Sequence, residues 1–513
     1  MNSPEWLKKA VFYEIYPQSF QDGNNDGIGD FYGASKRLDY LSEMGFNAIW
    51  LNPMYESPFF DAGYDVTDYK KVAKRYGGNK AFLHFLNKAK EKGMHVILDL
   101  VPGHTSIDHK WFLESQKAKE NEYTDRYIWN KNVWNCAPDC SWIRGFSERN
   151  GACMINFFSI QPKLNYGFTK IEHPEYEEPV EGKGPQGTIN AMIDVIRYWL
   201  KLGVDGFRVD MAGWLVARDE NEVGTQKVWK QVFSVIKKEF PESAFVSEWA
   251  NPAHSLEAGF DMDFLLQDYH FDTFGLMSRY ERPYFRYQEE TDTAPKYFAL
   301  LEPLLEVANK SGHYLAMISG NHDTERLASW LNQEEAKLYY AFMLTMPSVP
   351  FFYYGDEIGM RYLGNKIPSV EGGYQRTGSR SPMQWDNHKK NAGFSNANKI
   401  YIPLDKHRKG ISVEEQEKDS SSLLNFVKGM IKVKGSETAL DNDASFHLID
   451  DGKDGILIYE RDKNDEKIRV YINAHGEEKS FKQDGSLLFS LHSTLQEGTL
   501  TIGKQGVAIV KNN

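Results

Sequence analysis

From Val11 to Tyr354 the chain alternates short, almost unbroken apolar runs with longer stretches of helical periodicity. Phe46-Asn-Ala-Ile-Trp-Leu51 and His95-Val-Ile-Leu-Asp-Leu-Val101 have the β-rich, continuously apolar character of parallel strands buried on both faces. Between them the pattern predicts a helix capped by Asn79, with Phe82, Leu83 and Leu86 on its apolar face and Gly93 as its stop. Thr188 likewise precedes a predicted helix carrying Met192, Ile193, Ile196 and Trp199 and ended by Gly203. Eight strands can be placed in this way, at about 11–16, 46–51, 95–101, 204–210, 244–248, 262–266, 315–319 and 350–354. Eight strands alternating with helices point to an α/β fold, a closed (β/α)8 TIM barrel over residues 1–104 and 188–434. No glycine-rich phosphate fingerprint follows the first strand, which argues against a dinucleotide fold.

Two regions break the repeat. Residues 105–187, after the third strand, lack sustained helical periodicity and are expected to form an inserted domain at the barrel mouth. A last barrel helix is predicted near Val413 to Val433, and after Gly435 the pattern changes to short alternating runs such as Gly455-Ile-Leu-Ile-Tyr459. Residues 435–513 are therefore expected to be a C-terminal antiparallel β-sandwich domain.

Composition narrows the function. A chain of 513 residues, 41% apolar and 26% charged, has room for one large core and one or two smaller domains. Its net charge of −12, with no basic run, argues against a nucleic-acid footprint. Twelve Trp and 28 Tyr suit a partner with flat apolar faces and hydroxyls, such as a sugar, although a large core also holds many aromatics. No apolar run approaches the roughly 18 residues of a membrane span, and no secretory signal is visible, so a cytoplasmic location is expected. Cys136, Cys140 and Cys153 lie in one segment without an obvious fourth zinc ligand; idle thiols are favoured, and a Cys136/Cys140 disulfide stays open.

Candidate chemistry sits at three predicted strand ends. Val204-Asp-Gly-Phe-Arg-Val-Asp210, Ala244-Phe-Val-Ser-Glu248 and Ala316-Met-Ile-Ser-Gly-Asn-His-Asp323 each finish in a carboxylate. A nucleophile, a proton donor to the leaving oxygen and a third acid bonded to the sugar are what acetal hydrolysis requires. Arg208, two residues before Asp210 on the same strand face, is placed to keep that carboxylate ionised, whereas a proton donor at Glu248 needs a raised pKa. A separate stretch, Asp22-Gly-Asn24-Asn-Asp26-Gly-Ile28-Gly-Asp30, has oxygen side chains at alternating positions and reads as a cation loop, with an ion-free Asn/Asp/Gly turn as the alternative.

The motifs Asp99-Leu-Val-Pro-Gly-His104, Gly206-Phe-Arg-Val-Asp210, Ser247-Glu248-Trp249, Asn321-His-Asp323 and Gln161-Pro-Lys-Leu-Asn165, in that arrangement, resemble the α-amylase family of glycoside hydrolases, family 13. The resemblance runs from Val11 to about Gly435. It implies that Asp210 is the nucleophile, Glu248 the acid/base and Asp323 a binder of sugar hydroxyls, with His104 and His322 donating to the bound glucose. Pro58-Phe-Phe-Asp61-Ala-Gly-Tyr64 resembles the segment that closes the nonreducing end, where Tyr64 stacks on glucose and Asp61 pairs with an arginine. Arg376 is favoured over Arg380 for that partner. The cation loop is similar to the Ca²⁺/Mg²⁺ loop of the oligo-1,6-glucosidase branch, which implies a structural ion held by Asp22, Asn24, Asp26, the Ile28 carbonyl and Asp30, and no organic cofactor.

Departures from the family pattern shape the expectation. Met211-Ala-Gly213 stands where secreted α-amylases carry a Lys-His pair, and Gly103-His104 where they carry Asn-His, which opposes a liquefying endo-amylase. Met211 replaces the usual valine of oligo-1,6-glucosidases, and Lys163 mixes two branch patterns, so linkage is not readable. The resemblance implies a retaining α-glucosidase acting from the nonreducing end of short α-glucosides, with a small oligosaccharide or disaccharide as substrate. Its rivals are a transglucosidase or isomerase, such as trehalose synthase or a sucrose-active enzyme, and a noncatalytic barrel relative, which the intact triad and missing membrane span oppose.

Overall fold

The computed structural model describes residues 3–145, 147–265, 277, 283–287, 293–364, 367, 370, 376–453 and 455–512. Eight parallel strands close into a barrel: β1 (Phe12–Ile15), β2 (Ala48–Leu51), β3 (His95–Leu100), β4 (Gly206–Val209), β5 (Ala244–Ser247), β6 (Met262–Phe264), β7 (Tyr314–Ile318) and β8 (Val349–Tyr353). Each pairs with its sequence neighbours, and β1 closes the ring by pairing with both β2 and β8. All eight fall on the predicted runs, except that residue 266 of the sixth run lies outside the described residues. The strands read as continuous apolar stretches because helices cover one face and barrel-filling side chains the other. Inside, Phe12 stacks on Phe351 at 4.2 Å between ring centroids, and Phe264 packs edge-on against Phe351.

The longer helices of the barrel are α1 (Gly78–Glu91), α2 (Lys183–Leu202), α3 (Val223–Glu239), α4 (Thr293–Ser311), α5 (Gln333–Thr345) and α6 (Leu423–Ser436). Asn79 lies inside the first turn of α1 instead of capping it, and its side-chain oxygen accepts the Val72 N–H at 2.7 Å. Helix α2 starts five residues before Thr188, which is buried within it, and ends at Gly203 in the left-handed conformation as expected. The single helix predicted from Val413 is two, Val413–Glu417 and α6, because Ser422 takes an N-cap position and its hydroxyl accepts the Asn425 N–H. Gly206 opens β4 at φ 154°, where a Cβ would stand 1.8 Å from the Ala244 carbonyl oxygen, so only glycine lets β4 and β5 lie side by side there.

Residues 105–187 contain a short helix, Lys110–Ser115, and an antiparallel pair, Trp142–Arg144 with Ala152–Met154, before α2 begins. The C-terminal part is one six-stranded antiparallel sheet in which the long strand Thr499–Lys511 pairs with three others. Both of its faces are covered. Leu457, Tyr459, Val470, Ile472, Val507 and Ile509 join the main core, while Ile456, Ile458, Tyr471, Leu500, Ile502 and Val510 form a second cluster. Arg461, fully buried, reaches from this sheet to the carbonyls of Thr345, at the end of α5, and of Asp441 and Ala444. No described helix is long and apolar enough to cross a membrane.

Candidate active site

The barrel ladder itself carries two of the carboxylates. The Asp210 N–H donates to the Leu100 carbonyl at 2.8 Å and the Glu248 N–H to the Val209 carbonyl at 3.0 Å, so both residues leave the barrel at the carboxyl ends of their strands. Met211 and Ala250, just beyond them, have φ of 42° and 58°, a left-handed conformation that non-glycine residues adopt at a cost of about 1–3 kcal/mol when the surroundings fix it.

Arg208, 1% exposed, sits between three acids. Its Nη1 lies 2.6 Å from Asp99 and 3.0 Å from Asp210, and its Nη2 lies 2.6 Å from Glu248, which also accepts the Met211 N–H at 3.1 Å. One guanidinium divided over three carboxylates does not offset the burial of Asp210, contrary to what the sequence suggested. Burial raises the Asp210 carboxyl well above its usual range, Arg208 opposes the rise, and Glu248, Asp99 and Asp323 add to it.

Asp323 has the opposite environment. Burial disfavours its charge, but His322 at 3.1 Å, Arg376 at 3.0 Å and Arg380 at 2.6 Å outweigh burial and keep it well below the usual carboxylate range. Burial alone lowers the affinity of His322 for a proton, yet Asp323 and Glu14 bring it up to about 9. Doubly protonated, His322 donates from Nδ1 to Glu14 at 2.9 Å and from Nε2 toward Asp323 and the Tyr64 hydroxyl, 2.5 Å away. The Tyr64 hydroxyl in turn donates to Asp99 at 3.2 Å, and its ring stacks on His322 at 5.4 Å. Both ring nitrogens of His322 are therefore engaged within the protein, and one face of Tyr64 is occupied by that ring.

Asp61 pairs with Arg376, and Gln161 donates a second hydrogen bond to it at 2.7 Å. Arg380 turns instead to Asp323, to the His322 carbonyl at 2.9 Å and to the Tyr16 hydroxyl at 3.2 Å. Burial pushes His104 down to about 3, leaving it neutral, with Nε2 donating to the Tyr64 carbonyl and Nδ1 accepting from Asn156. All nine residues singled out around the cleft thus fall in one hydrogen-bonded network. Glu14 completes it without having been singled out from sequence, as do Asp99 and Gln161, which only opened quoted motifs, and Arg380, which stood there as the alternative to Arg376. A charged residue inside the apolar run Val11–Tyr16, and an acid on the face of β3 that meets Arg208, were the available signals.

Beside this network an open cavity of about 430 Å³ is lined by Asn156, Lys163, Gly213, Trp214 and Glu222, among others. Burial brings the Lys163 amine down to about 8, and it donates to the Trp214 carbonyl at 2.9 Å. Trp214, 58% exposed, and Phe157, 38% exposed, face each other at 6.1 Å.

The proposed cation loop lies apart from the network. Asp22 accepts the N–H groups of Asn24, Asn25 and Gly27 and the Ser395 hydroxyl, Asn24 and Asp26 accept those of Asp26 and Ile28, and Asp30 accepts those of Gly23 and Gly33. The donor chemistry suits a hard cation, but each Asp22 oxygen already accepts two hydrogen bonds from the protein. The carboxylates do not converge, however: no group of three His, Cys, Asp or Glu side chains among the described residues forms a metal cage. All three cysteines are free thiols.

The description "Alpha amylase, catalytic domain" matches residues 14–443. The chain belongs to the α-amylase family. The trehalose synthase/amylase of Mycobacterium tuberculosis is 32% identical over 512 residues, covering 89% of this chain and 80% of that protein. The oligo-1,6-glucosidase of Heyndrickxia coagulans is 28% identical, with 97% of each chain covered. Among solved structures, a variant of isomaltulose synthase from Erwinia rhapontici superposes with a TM-score of 0.81 at 24% identity, over 99% of this chain and 100% of that one. As a member of the α-amylase family the protein is a glycoside hydrolase, and its barrel and C-terminal sheet are the family architecture.

Proposed function

We propose that the protein is a retaining α-glucosidase that removes single glucosyl units from the nonreducing ends of short α-glucosides. The observation that carries this reading is the Asp61–Arg376–Asp323 chain, in which one buried guanidinium joins two carboxylates beside the catalytic pair and Gln161 holds the outer one. Such a clamp ends the cleft and makes a pocket, as exo action on short substrates needs. Asp210 attacks the anomeric carbon while Glu248 passes a proton to the departing oxygen. Glu248 then takes a proton from water, which cleaves the glucosyl ester. Relatives named maltase, salivary α-glucosidase and oligo-1,6-glucosidase support the substrate class.

Transfer to a sugar in place of water is the second reading, supported by the similarity to trehalose synthase and by the exposed aromatic faces of Phe157 and Trp214 beside the cleft. A product time course on maltose, isomaltose, sucrose, trehalose and maltoheptaose at two concentrations separates the two. Proton NMR of the first product is expected to show α-glucose; β-glucose first would exclude double displacement.

A further inference from the structure

The loop that carries Glu248 is folded around a buried acid. Trp249, Ala250 and Asn251 turn three successive backbone N–H groups toward the carboxylate of Asp263 on β6, with Trp249 at 3.3 Å from Oδ1 and Asn251 at 2.8 Å from Oδ2. From the other side of Glu248, the Ser247 hydroxyl donates to Oδ1 at 2.6 Å. Asp263 is 0% exposed, and these contacts are all with neutral donors. Successive N–H groups around a left-handed residue form a concave anion site, and here Ala250, at φ 58°, is that residue and the anion is a side chain of the same barrel. The residues on both sides of Glu248 are thereby tied to one point on the neighbouring strand.

A bare carboxylate in this place is costly. Burial brings its proton affinity up to about 7, against the pull of the four donors. An apolar residue would fill the same space without that cost, but it would release three N–H groups and with them the unusual backbone at Ala250.

We propose that Asp263 is a positioning residue for the proton-transfer step, holding the Ser247–Asn251 backbone so that the Glu248 carboxyl meets the glycosidic oxygen. The step is ordinary: the proton on Glu248 passes to that oxygen as its bond to the anomeric carbon breaks and the bond from Asp210 forms. This proposal rests on the reading of Glu248 as the acid/base.

The test compares leaving groups. Asp263→Asn keeps the volume and one acceptor oxygen but aims an amide N–H at donors. Its kcat/KM on whichever disaccharide the time course shows to be cleaved is expected to fall about 30-fold, because general acid catalysis contributes on the order of 100-fold or more and displacement forfeits part of it. On 2,4-dinitrophenyl α-glucoside, whose leaving group departs without a proton, the change is expected to stay under about threefold. Glu248→Gln, measured alongside, is expected to show the same split at larger amplitude.

If Glu248→Gln shows no split, the acid/base assignment falls and the Asp263 proposal with it. If Glu248→Gln splits the substrates but Asp263→Asn slows both equally, or neither, Asp263 is a packing residue and the proposal alone is overturned. Should Asp263→Asn fail to fold, Ser247→Ala, which removes one donor, gives the same comparison: a loss confined to the disaccharide supports the proposal, and an equal or absent effect overturns it.

Discussion

Arg376→Ala is the most direct perturbation of the proposed pocket. Arg376 is 7% exposed and bridges Asp61 to Asp323. Without it Asp323 keeps Arg380 at 2.6 Å and His322 at 3.1 Å, so the third acid of the triad stays ionised and in place. Asp61 keeps only the Gln161 amide, at 2.7 Å, among the cleft contacts described above. The loss therefore falls on Asp61. In a binding site, truncating one partner of a buried hydrogen-bonded charge pair costs roughly 2–5 kcal/mol of ligand binding, and with the amide bond retained the loss of transition-state binding is set at about 3 kcal/mol. At about 1.4 kcal/mol per tenfold, kcat/KM on maltotriose is expected to drop about 150-fold. Asp61→Ala should cost a similar factor. The double variant should cost little more than either single, because the second truncation removes a partner already lost. Initial rates on maltotriose across the four proteins give the coupling directly. Factors that multiply to more than about 10,000-fold in the double variant would mean that the two side chains act separately, and fast loss of starch viscosity by the unaltered enzyme would mean that no clamp closes the cleft.

Asp210→Asn and Glu248→Gln should each lower disaccharide turnover at least about a thousandfold with little change in melting temperature; more than about a tenth of the activity left in Asp210→Asn would remove it as the nucleophile. A chelator should lower the melting temperature more than the initial rate if Asp22, Asn24, Asp26, the Ile28 carbonyl and Asp30 hold Ca²⁺ or Mg²⁺ in the folded state, and an unchanged melting curve would leave a self-bonded turn. His322 binds its proton more tightly folded than unfolded, about 9 against 6.5, so its contribution is fully present below pH 6.5 and is lost as pH rises through about 9. That shift is worth about 3 kcal/mol at most, and urea midpoints measured from pH 6.5 to 9.5 should fall more steeply for the unaltered protein than for His322→Gln.

Barrel strands were legible because strands buried on both faces are spelled in continuous apolar residues. Helix starts were less so. Lys183-Gly-Pro-Gln-Gly187 reads as a loop, yet it forms the first turn of α2, where a proline loses no hydrogen bond and Gly184 permits approach to within 2.8 Å of the Asp125 carbonyl at the Cβ position. The site divides in the same manner. Its motif residues are contiguous in sequence and were found, whereas which of them touch is set by the fold: Glu14 of β1, in no motif, meets His322, Asp99 of β3 meets Arg208 and Tyr64, and Gln161 of the insertion meets Asp61. The sharing of Arg208 among three acids is a fact of tertiary placement, and no spacing along one strand announces it.

The C-terminal sheet looks like an appendage in the sequence pattern, but half of its apolar side chains belong to the barrel's own core, and Arg461 fastens it to the end of α5, the helix between β7 and β8. The two parts are therefore expected to unfold as one cooperative unit. Cutting the chain near residue 435 would not yield a smaller enzyme; it would strip one wall from the core beneath the loops that hold Asp323 and Arg376, and melting should register as a single event in which sheet and catalytic centre are lost together.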